Sequence, residues 1–304
     1  MITRTLPFSP AAIVEAARLI AEGLPVAVPT ETVYGLAADA TSDAAVAAIY
    51  AAKGRPRFNP LIVHVADADA AFALGQFDGA ARALADAHWP GPLTLVVPQR
   101  PGNPIASLAT AGLATIALRV PAHRAMHALL AATGKPLAAP SANASGTISP
   151  TTAGHVARSL DGRIALIIDD GATSAGLEST IAARTGGPTR LLRPGPIVLD
   201  LGLIEAATIE APGQLAAHYA PSKPLRLDAT EALPGEWLIG FGSVAGHVSL
   251  STTGNPCEAA ANLFARLHEA DASACARIAI APVPDTGLGI AINDRLRRAA
   301  RGAA

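Results

Sequence analysis

The chain has 304 residues, half of them apolar and only 15% charged, so it can bury a substantial core and is neither disordered nor fibrous. Its formal net charge of −1 argues against a generally basic nucleic-acid binder, although a local basic cleft is compatible with it. No apolar run approaches the roughly 18 residues of a membrane span, and the N-terminus lacks a secretory signal pattern. The two cysteines are too far apart for a CxxC pair and fit a reduced protein. We therefore expect a cytoplasmic protein without membrane contact.

Periodicity and capping residues predict an α/β pattern over the first two thirds of the chain. A helix capped by Ser9 is expected to end at Gly23, and a second helix is expected to end at Gly54. Strands are predicted at 26–29, 61–65, 93–97, 115–120, 163–168, 179–183 and 190–193, and helices around 78–88, 122–132 and 152–159. The alternation indicates an α/β fold, and the strand order cannot be derived from it.

A second, smaller unit is predicted after residue 224. Residues 211–224 contain proline and glycine without regular periodicity, which is typical of a linker. The segments that follow alternate short strands with two helices, PCEAAANLFARLHEAD and the one around AINDRLRRAA. We therefore divide the chain into a large α/β domain (1–205), a linker (206–224) and a small C-terminal α/β domain (225–304).

Polar side chains follow the strand at 26–29 in the segment PTETVYGLAAD. Thr30, Glu31, Thr32 and Tyr34 place hydroxyls and a carboxylate at a strand end, where open α/β sheets bind ligands. An ordinary polar turn would have the same composition, so this segment alone does not establish a site.

Three cations occur at alternate positions in the segment KGRPRFNP. If the segment is extended, Lys53, Arg55 and Arg57 share one side and would attract a polyphosphate. Favourable charge at a helix C-terminus, followed by a solvated turn, is the alternative. The chain has only three lysines, and the presence of one here favours the binding site.

Two predicted strands carry a basic side chain among apolar residues. His64 lies in LIVHV and Arg119 in TIALRV. A buried arginine requires an anionic partner, which could be a substrate carboxylate or an internal Asp or Glu. A histidine in a strand is more often an ordinary core or edge residue than a ligand.

The remaining polar clusters are PSANASGTISPT, GLESTI and LLRPG. Ser141 and Asn143 would share a side of an extended segment, and the helix predicted after Ser149 would add an N-terminus suited to phosphate. A loop with Thr151 as a helix N-cap is the alternative. Arg193 follows the last strand of the first domain.

Several common enzyme motifs are absent from the sequence. It contains no G-x-x-x-x-G-K-[ST] loop, no G-x-G-x-x-G fingerprint and no G-x-S-x-G elbow. His123 and His127 are four residues apart on a predicted helix, but the glutamate of a zinc protease does not separate them. The sequence predicts no covalent nucleophile and no metal site built from protein side chains.

Taken together and in order, these segments resemble the YrdC-type threonylcarbamoyl-AMP synthase family. The similar pieces are PTETVYGL, KGRP followed by NPLIVHV, WPGPLTLV, RVPAH, APSANASG, SPT, GLESTI and LLRPG, which cover nearly all of residues 20–196. HYAP in the linker and GLGIAINDRL near the C-terminus are similar to the long form of the family. The resemblance implies a twisted α/β sheet around a concave, positively charged cleft, with the small C-terminal domain beside it.

The resemblance also implies an activity and a set of site residues. The activity is synthesis of L-threonylcarbamoyl-AMP from ATP, L-threonine and bicarbonate, with release of pyrophosphate. The residues that it assigns to threonine are Thr30, His64, Arg119 and Ser179. Those that it assigns to ATP are Lys53, Arg57, Thr115, Ser141, Asn143, Ser149 and Arg193, with Arg55 adding charge and with His218 and Tyr219 as candidate contacts from a linker that folds over the cleft. Lys53 and Arg55 are the expected catalytic residues.

The implied cofactor is Mg²⁺ bound with ATP, and the implied partner is a downstream complex that transfers the threonylcarbamoyl group to the tRNA adenosine next to the anticodon. A weak contact with tRNA is possible. One departure from the family is that lysines often precede HYAP, whereas this chain has GQLAAHYAP. The linker is therefore expected to act as a lid without supplying charge from that position.

Two other functions are compatible with the same basic cleft. An RNA-binding module would bind RNA in a salt-dependent way without releasing pyrophosphate, but the chain has few aromatic residues for stacking. A carbamoyl-transfer relative would use carbamoyl phosphate, but such proteins usually carry zinc-finger or acylphosphatase patterns that this sequence lacks.

Overall fold

The structure is a computed structural model that describes residues 2–56, 58–201, 210–211 and 218–302. The helices are α1 (Pro10–Ala21), α2 (Asp43–Lys53), α3 (Ala68–Leu74), α4 (Gly79–His88), α5 (Arg124–Thr133), α6 (Ala153–Leu160), α7 (Pro256–Ala272) and α8 (Leu288–Gly302). The strands are β1 (Arg4–Pro7), β2 (Val26–Pro29), β3 (Tyr34–Asp39), β4 (Ile62–His64), β5 (Leu93–Pro98), β6 (Thr115–Arg119), β7 (Leu137–Ala138), β8 (Leu166–Asp169), β9 (Thr180–Ala183), β10 (Arg190–Arg193), β11 (Leu225–Arg226), β12 (Glu236–Gly240), β13 (Val248–Ser249) and β14 (Arg277–Ile280).

The predicted helix boundaries are confirmed with one correction. Ser9 caps α1 by accepting a hydrogen bond from the Ala12 amide, and Gly54 ends α2 with a left-handed φ of 61°. The N-cap of α6 is Thr152 and not Thr151, because the Thr152 hydroxyl accepts from the His155 amide.

The large sheet has ten strands in the order β1-β8-β2-β3-β7-β4-β6-β5-β9-β10 and mixes parallel with antiparallel pairs. Residues 34–39, for which no strand was predicted, form β3 and pair with β2, so the chain reverses within residues 30–33. Strands β1 and β7 and helix α3 were not predicted, because each is too short for its periodicity to be visible.

The helices cover the two faces of this sheet unequally. Helices α2, α3 and α4 pack over one face and bury Val63 and Leu118. On the other face α1 and α5 pack over β2 and β8. The face of β4 and β6 that carries Ile62 and Ala117 is instead covered by Ala211 of the linker. Since residues two apart on a strand share a face, His64 and Arg119 lie on this linker-covered face.

The C-terminal residues form a four-stranded parallel sheet in the order β11-β14-β12-β13, with α7 and α8 packed on it. This agrees with the small α/β unit expected from the sequence. Its core continues into the large unit through Val33, Ile148 and Leu177. The boundaries at residues 205 and 224 stay a prediction, since most of 206–224 is outside the described residues. No helix in the described part of the chain is both long and apolar enough for a membrane span.

Candidate active site

A small pocket lies between the linker-covered face of the large sheet and the end of the linker. Its volume is about 50 Å³, which accommodates water but not a nucleotide. The lining residues are Thr32, Val33, Arg55, Ile62, His64, Arg119, Ala139, Pro140, Ser141, Glu178, Ser179, Arg193, His218 and Tyr219. Three arginines therefore converge here from the segment after α2, from β6 and from β10.

Most of the predicted site residues lie in or directly behind this pocket. Those in its lining are Arg55, His64, Arg119, Ser141, Ser179, Arg193, His218 and Tyr219. Thr30, Lys53, Asn143 and Ser149 do not line it, but each is hydrogen-bonded to the pocket wall or to the loop that forms it. Thr115 shares a face of β6 with Arg119 four residues away, about 13 Å along the strand. Arg57 lies outside the described residues.

Arg119 has an internal acidic partner, one of the two possibilities that the sequence left open. Its Nη2 lies 2.7 Å from Oε1 of Glu31, and both side chains are almost completely buried. Its Nη1 donates to the Thr32 hydroxyl (3.0 Å) and its Nε to the Gly91 carbonyl (3.2 Å). Burial alone would raise the pKa of Glu31, but the charge of Arg119 and hydrogen bonds to the carboxylate together outweigh burial, so that pKa lies below its usual value. The pair keeps a positive guanidinium at the end of β6.

The parallel pairing of β4 with β6 places His64 directly beside Arg119. Burial and the neighbouring charge of Arg119 lower the pKa of His64 to about 3, so its ring is neutral. Its Nδ1 is buried without a hydrogen-bond partner among the described residues. Because such an atom costs free energy when left unpaired, it is available to a polar ligand.

A hydroxyl pair joins β5 to the start of β9 on the opposite side of the pocket. The Ser179 and Thr94 hydroxyls lie 2.7 Å apart. Arg193 donates from Nη2 to the Ser179 hydroxyl (3.1 Å) and from Nε to the Ser179 carbonyl (3.0 Å). Burial lowers the pKa of Arg193. Arg193 is thus fixed against the residue that was predicted to contact threonine.

Lys53 and Arg55 are both buried, but they do not alternate along an extended segment as predicted. Lys53 is the last residue of α2, and the left-handed Gly54 separates it from Arg55. The Lys53 ammonium donates to the carbonyls of Ser141 (2.6 Å) and Asn143 (2.5 Å), and the Asn143 amide donates to the Ser141 carbonyl (3.0 Å), so the chain turns after Ser141 and does not stay extended. Burial, followed by the charge of Arg55, depresses the pKa of Lys53 well below its usual range.

Arg55 lines the pocket and is held by carbonyls. It donates from Nη2 to the Pro60 carbonyl (3.1 Å) and from Nε to the Asn59 carbonyl (3.4 Å). Burial lowers its pKa to about 10. A buried cation that is held by neutral carbonyls is well suited to an incoming anion.

His218 and Tyr219 close the pocket from the linker side. Their rings meet edge to face with centroids 4.1 Å apart, and Tyr219 adopts a left-handed φ of 64°. Burial lowers the pKa of His218 to about 3 and raises that of Tyr219. Within the described residues, the Tyr219 hydroxyl and His218 Nδ1 have no hydrogen-bond partner.

Sequence reasoning missed one residue at this site, Arg295 of α8. It is fully buried and donates from Nε to Oε2 of Glu178 (2.9 Å), whose Oε1 accepts from Ser149. Its position was visible in the sequence: Ala291, Ile292, Arg295, Leu296 and Ala299 recur at the spacing of a buried helix face. An arginine on such a face requires an anion, which identifies it as a candidate.

The described residues contain no group of three or more His, Cys, Asp or Glu side chains placed to hold a metal ion. The two carboxylates of the site, Glu31 and Glu178, are each paired with an arginine. A divalent cation at this site would therefore be bound chiefly by the phosphate oxygens of a triphosphate and by water.

A twisted mixed α/β sheet, with an arginine-lined pocket covered by a linker, is the architecture of the YrdC-like class of proteins. The Sua5/YciO/YrdC family profile, described as "Telomere recombination", matches residues 18–195, and the profile of the threonylcarbamoyl-AMP synthase C-terminal domain matches residues 177–301. The chain belongs to this family.

Relatives and solved structures agree over the full length. The threonylcarbamoyl-AMP synthase of Bacillus subtilis is 40% identical, with 99% of this chain and 96% of that protein covered. The enzyme of the same name from Pyrococcus abyssi is 39% identical, with 93% and 92% covered. The crystal structure of P. abyssi Sua5 complexed with L-threonine superimposes with a TM-score of 0.90 at 36% identity and covers 100% of this chain and 98% of that one.

Proposed function

We propose that this protein is a threonylcarbamoyl-AMP synthase, a nucleotidyltransferase that makes L-threonylcarbamoyl-AMP and pyrophosphate from ATP, L-threonine and bicarbonate. The observation that carries the proposal is the convergence of Arg55, Arg119 and Arg193 on one pocket, in a chain similar to such synthases from end to end. The product supplies the threonylcarbamoyl group that a downstream complex transfers to the tRNA adenosine next to the anticodon. Any contact of this chain with tRNA itself would be weak.

The threonine end of the site is the part around Arg119. A planar guanidinium that is already held by Thr32 and Gly91 can offer parallel N–H groups to a carboxylate. His64 Nδ1 and the Ser179 hydroxyl lie on either side of it and suit the amine and hydroxyl of the amino acid. Thr30 supports this wall, because its hydroxyl lies 2.8 Å from that of Thr32.

The ATP end of the site is the part around Arg55 and Arg193. These guanidiniums would balance the triphosphate, and Lys53 would hold the loop that carries Ser141 and Asn143 in place beneath it. Thr115 and Ser149 are further proposed ATP contacts, and Arg57, which lies outside the described residues, stays one on the sequence alone. Mg²⁺ would arrive with ATP and neutralise part of the triphosphate charge.

The reaction needs no covalent protein intermediate. The neutral threonine amine attacks bicarbonate and water is lost, which gives a carbamate. A carbamate oxygen then forms a bond to the α-phosphorus while the bond to pyrophosphate breaks. Both reactants are anionic, so the positive side chains lower the repulsion between them, and catalysis comes chiefly from electrostatics and positioning.

The linker would act as a lid over the reacting groups. The pocket in this structure is too small for a nucleotide, so His218 and Tyr219 must move outward before ATP enters. Once closed over the substrates, they would exclude water from a product that hydrolyses readily. Both are candidate contacts of the nucleotide.

The test is pyrophosphate release by the purified protein with ATP, bicarbonate and each amino acid in turn. We expect release with threonine, and dependence on bicarbonate. Release that requires carbamoyl phosphate would favour a carbamoyl-transfer enzyme, and RNA binding without any release would favour a binding module. Either result would overturn the proposal.

A further inference from the structure

Arg295 extends from the C-terminal unit into the wall of the active-site pocket. Besides Glu178 it contacts the Pro194 carbonyl through Nη1 (2.8 Å) and the neighbouring Asp294 carboxylate through Nη1 (2.8 Å). Its guanidinium carbon lies 5.3 Å from the ring centroid of Tyr219. One side chain of α8 therefore touches the carboxylate, the strand end and the lid of the site.

A fully buried arginine in a helix face costs several kcal/mol of desolvation, which only well-placed anions can offset. Burial alone would lower the pKa of Arg295, but the neighbouring Glu178 and Asp294 carboxylates favour its charged form, so that pKa is raised and the guanidinium stays charged. Glu178 is in turn fixed on both oxygens, by Arg295 on Oε2 and by Ser149 on Oε1. The charge pair thereby sets the position of a serine that was predicted to bind ATP.

The groups that face Glu178 come from four parts of the chain. They are Arg295 and its neighbour Asp294 on α8, Arg193 on β10, Ser149 before α6, and His218 and Tyr219 at the end of the linker. Burial alone would raise the pKa of Glu178. The charges of Arg295 and then Arg193, together with the hydrogen bonds from Ser149 and Arg295, outweigh burial and hold that pKa below its usual value, so the carboxylate is ionised and accepts a hydrogen bond from the Ser149 hydroxyl.

The end of the lid is attached to the same helix. The His218 amide donates to the carbonyl of Arg298 (3.3 Å), one turn after Arg295 on α8. Tyr219 packs into the C-terminal core against Phe264, with ring centroids 5.7 Å apart. The position of α8 thus determines where the lid can close.

We propose that Arg295 is a positioning residue of the synthase, which holds Glu178, Ser149 and Tyr219 in the arrangement that binds the nucleotide. The small C-terminal domain then does more than carry the lid, because it supplies a charge without which the ATP end of the site is incorrectly formed. This inference rests on the function proposed above.

The test compares Arg295→Met with Arg297→Met, a matched control on the same helix whose guanidinium is half exposed and paired with Asp285. The KM for ATP, the KM for threonine and the thermal midpoint are measured for both variants and for the wild type. We expect Arg295→Met to raise the KM for ATP by on the order of tenfold, with the KM for threonine changed less than about twofold. The control should match the wild type.

A purely structural role of Arg295 would reduce the active fraction and leave both KM values unchanged. A raised KM for ATP beside an almost unchanged KM for threonine therefore distinguishes a positioning role from a structural one. The pH profile gives a second measurement. Without Arg295 the pKa of Glu178 rises, so the loss of kcat/KM for ATP on the acid side should move to higher pH. A folded Arg295→Met protein with wild-type KM for ATP and an unmoved profile would overturn the inference.

If Arg295→Met does not fold, the double variant Arg295→Met/Glu178→Gln decides, because it removes both members of this buried pair and leaves neither charge without the other. We expect it to fold and to show the raised KM for ATP without the acid-side loss that Glu178 causes. A wild-type KM for ATP in the double variant would overturn the inference. Absence of activity in the wild type would instead contradict the proposed function, so the two failures are distinguishable.

Discussion

Replacing Arg119 by lysine keeps a positive charge at the end of β6 and removes the planar fork. The guanidinium reaches the Gly91 carbonyl, the Thr32 hydroxyl and the Glu31 carboxylate with three different nitrogens. A single ammonium cannot make these contacts and also present two N–H groups to a substrate carboxylate. Each hydrogen bond that involves a charged group contributes about 1.5–3 kcal/mol, so one lost bond lowers the affinity for threonine roughly 10- to 100-fold.

Calorimetric titration with threonine measures this loss directly, and the KM for threonine measures it in turnover. Arg124→Lys is the matched control, since Arg124 is largely exposed and its pair with Asp170 contributes at most about 1 kcal/mol. The thermal midpoint establishes that each variant is folded. A folded Arg119→Lys protein that binds threonine with wild-type affinity would refute the assignment of Arg119 to the carboxylate.

Three further results are expected. Glu31→Gln leaves Arg119 without its counter-charge, so stability without ligand should fall by about 3 kcal/mol and threonine should raise the thermal midpoint more than in the wild type; an equal or smaller rise would contradict this. A bound triphosphate raises the depressed pKa of Lys53, so ATP binding should take up protons at a pH between the depressed pKa and the raised one, detectable by calorimetry in buffers of different ionisation enthalpy, and Lys53→Met should abolish the uptake. Burial lowers the pKa of His268 to about 4, so the stability it contributes is complete above about pH 6.5 and is lost as the pH falls toward 4. His268→Gln, which can still donate to the Ser149 carbonyl, should flatten the fall of the thermal midpoint over that range, and an unchanged slope would count against this explanation.

Local signals predicted most of the elements, but several strands that depend on distant partners in the chain were missed. The capping residues Ser9 and Gly54 act through hydrogen bonds within one turn, so they can be seen without the fold. Strand β7 has two residues and exists only because β3 and β4 flank it on either side. Its stability comes from the neighbouring strands, which no local pattern reveals.

The site shows the same division between features visible in the local sequence and features that depend on the fold. The sequence identified Arg119 as a buried cation in need of an anion, because the apolar pattern around it implies desolvation. The sequence does not show whether the anionic partner of Arg119 is a substrate or Glu31, because that depends on how residues 30–33 turn back toward the end of β6. It predicted that Lys53 binds ATP, and the structure adds what the sequence could not show, that the ammonium donates to the carbonyls of the 141–143 turn.

What the sequence determined by itself was chemistry that is local or repeated: the helix caps, the buried faces and the order of polar segments along the chain. What only the tertiary structure decided was which charges meet. Arg295 and Glu178 are separated by 117 positions, and their pairing depends on α8 docking against the large unit. Long-range contacts of this kind arise from packing of whole elements, so the charge balance of the pocket belongs to the folded chain.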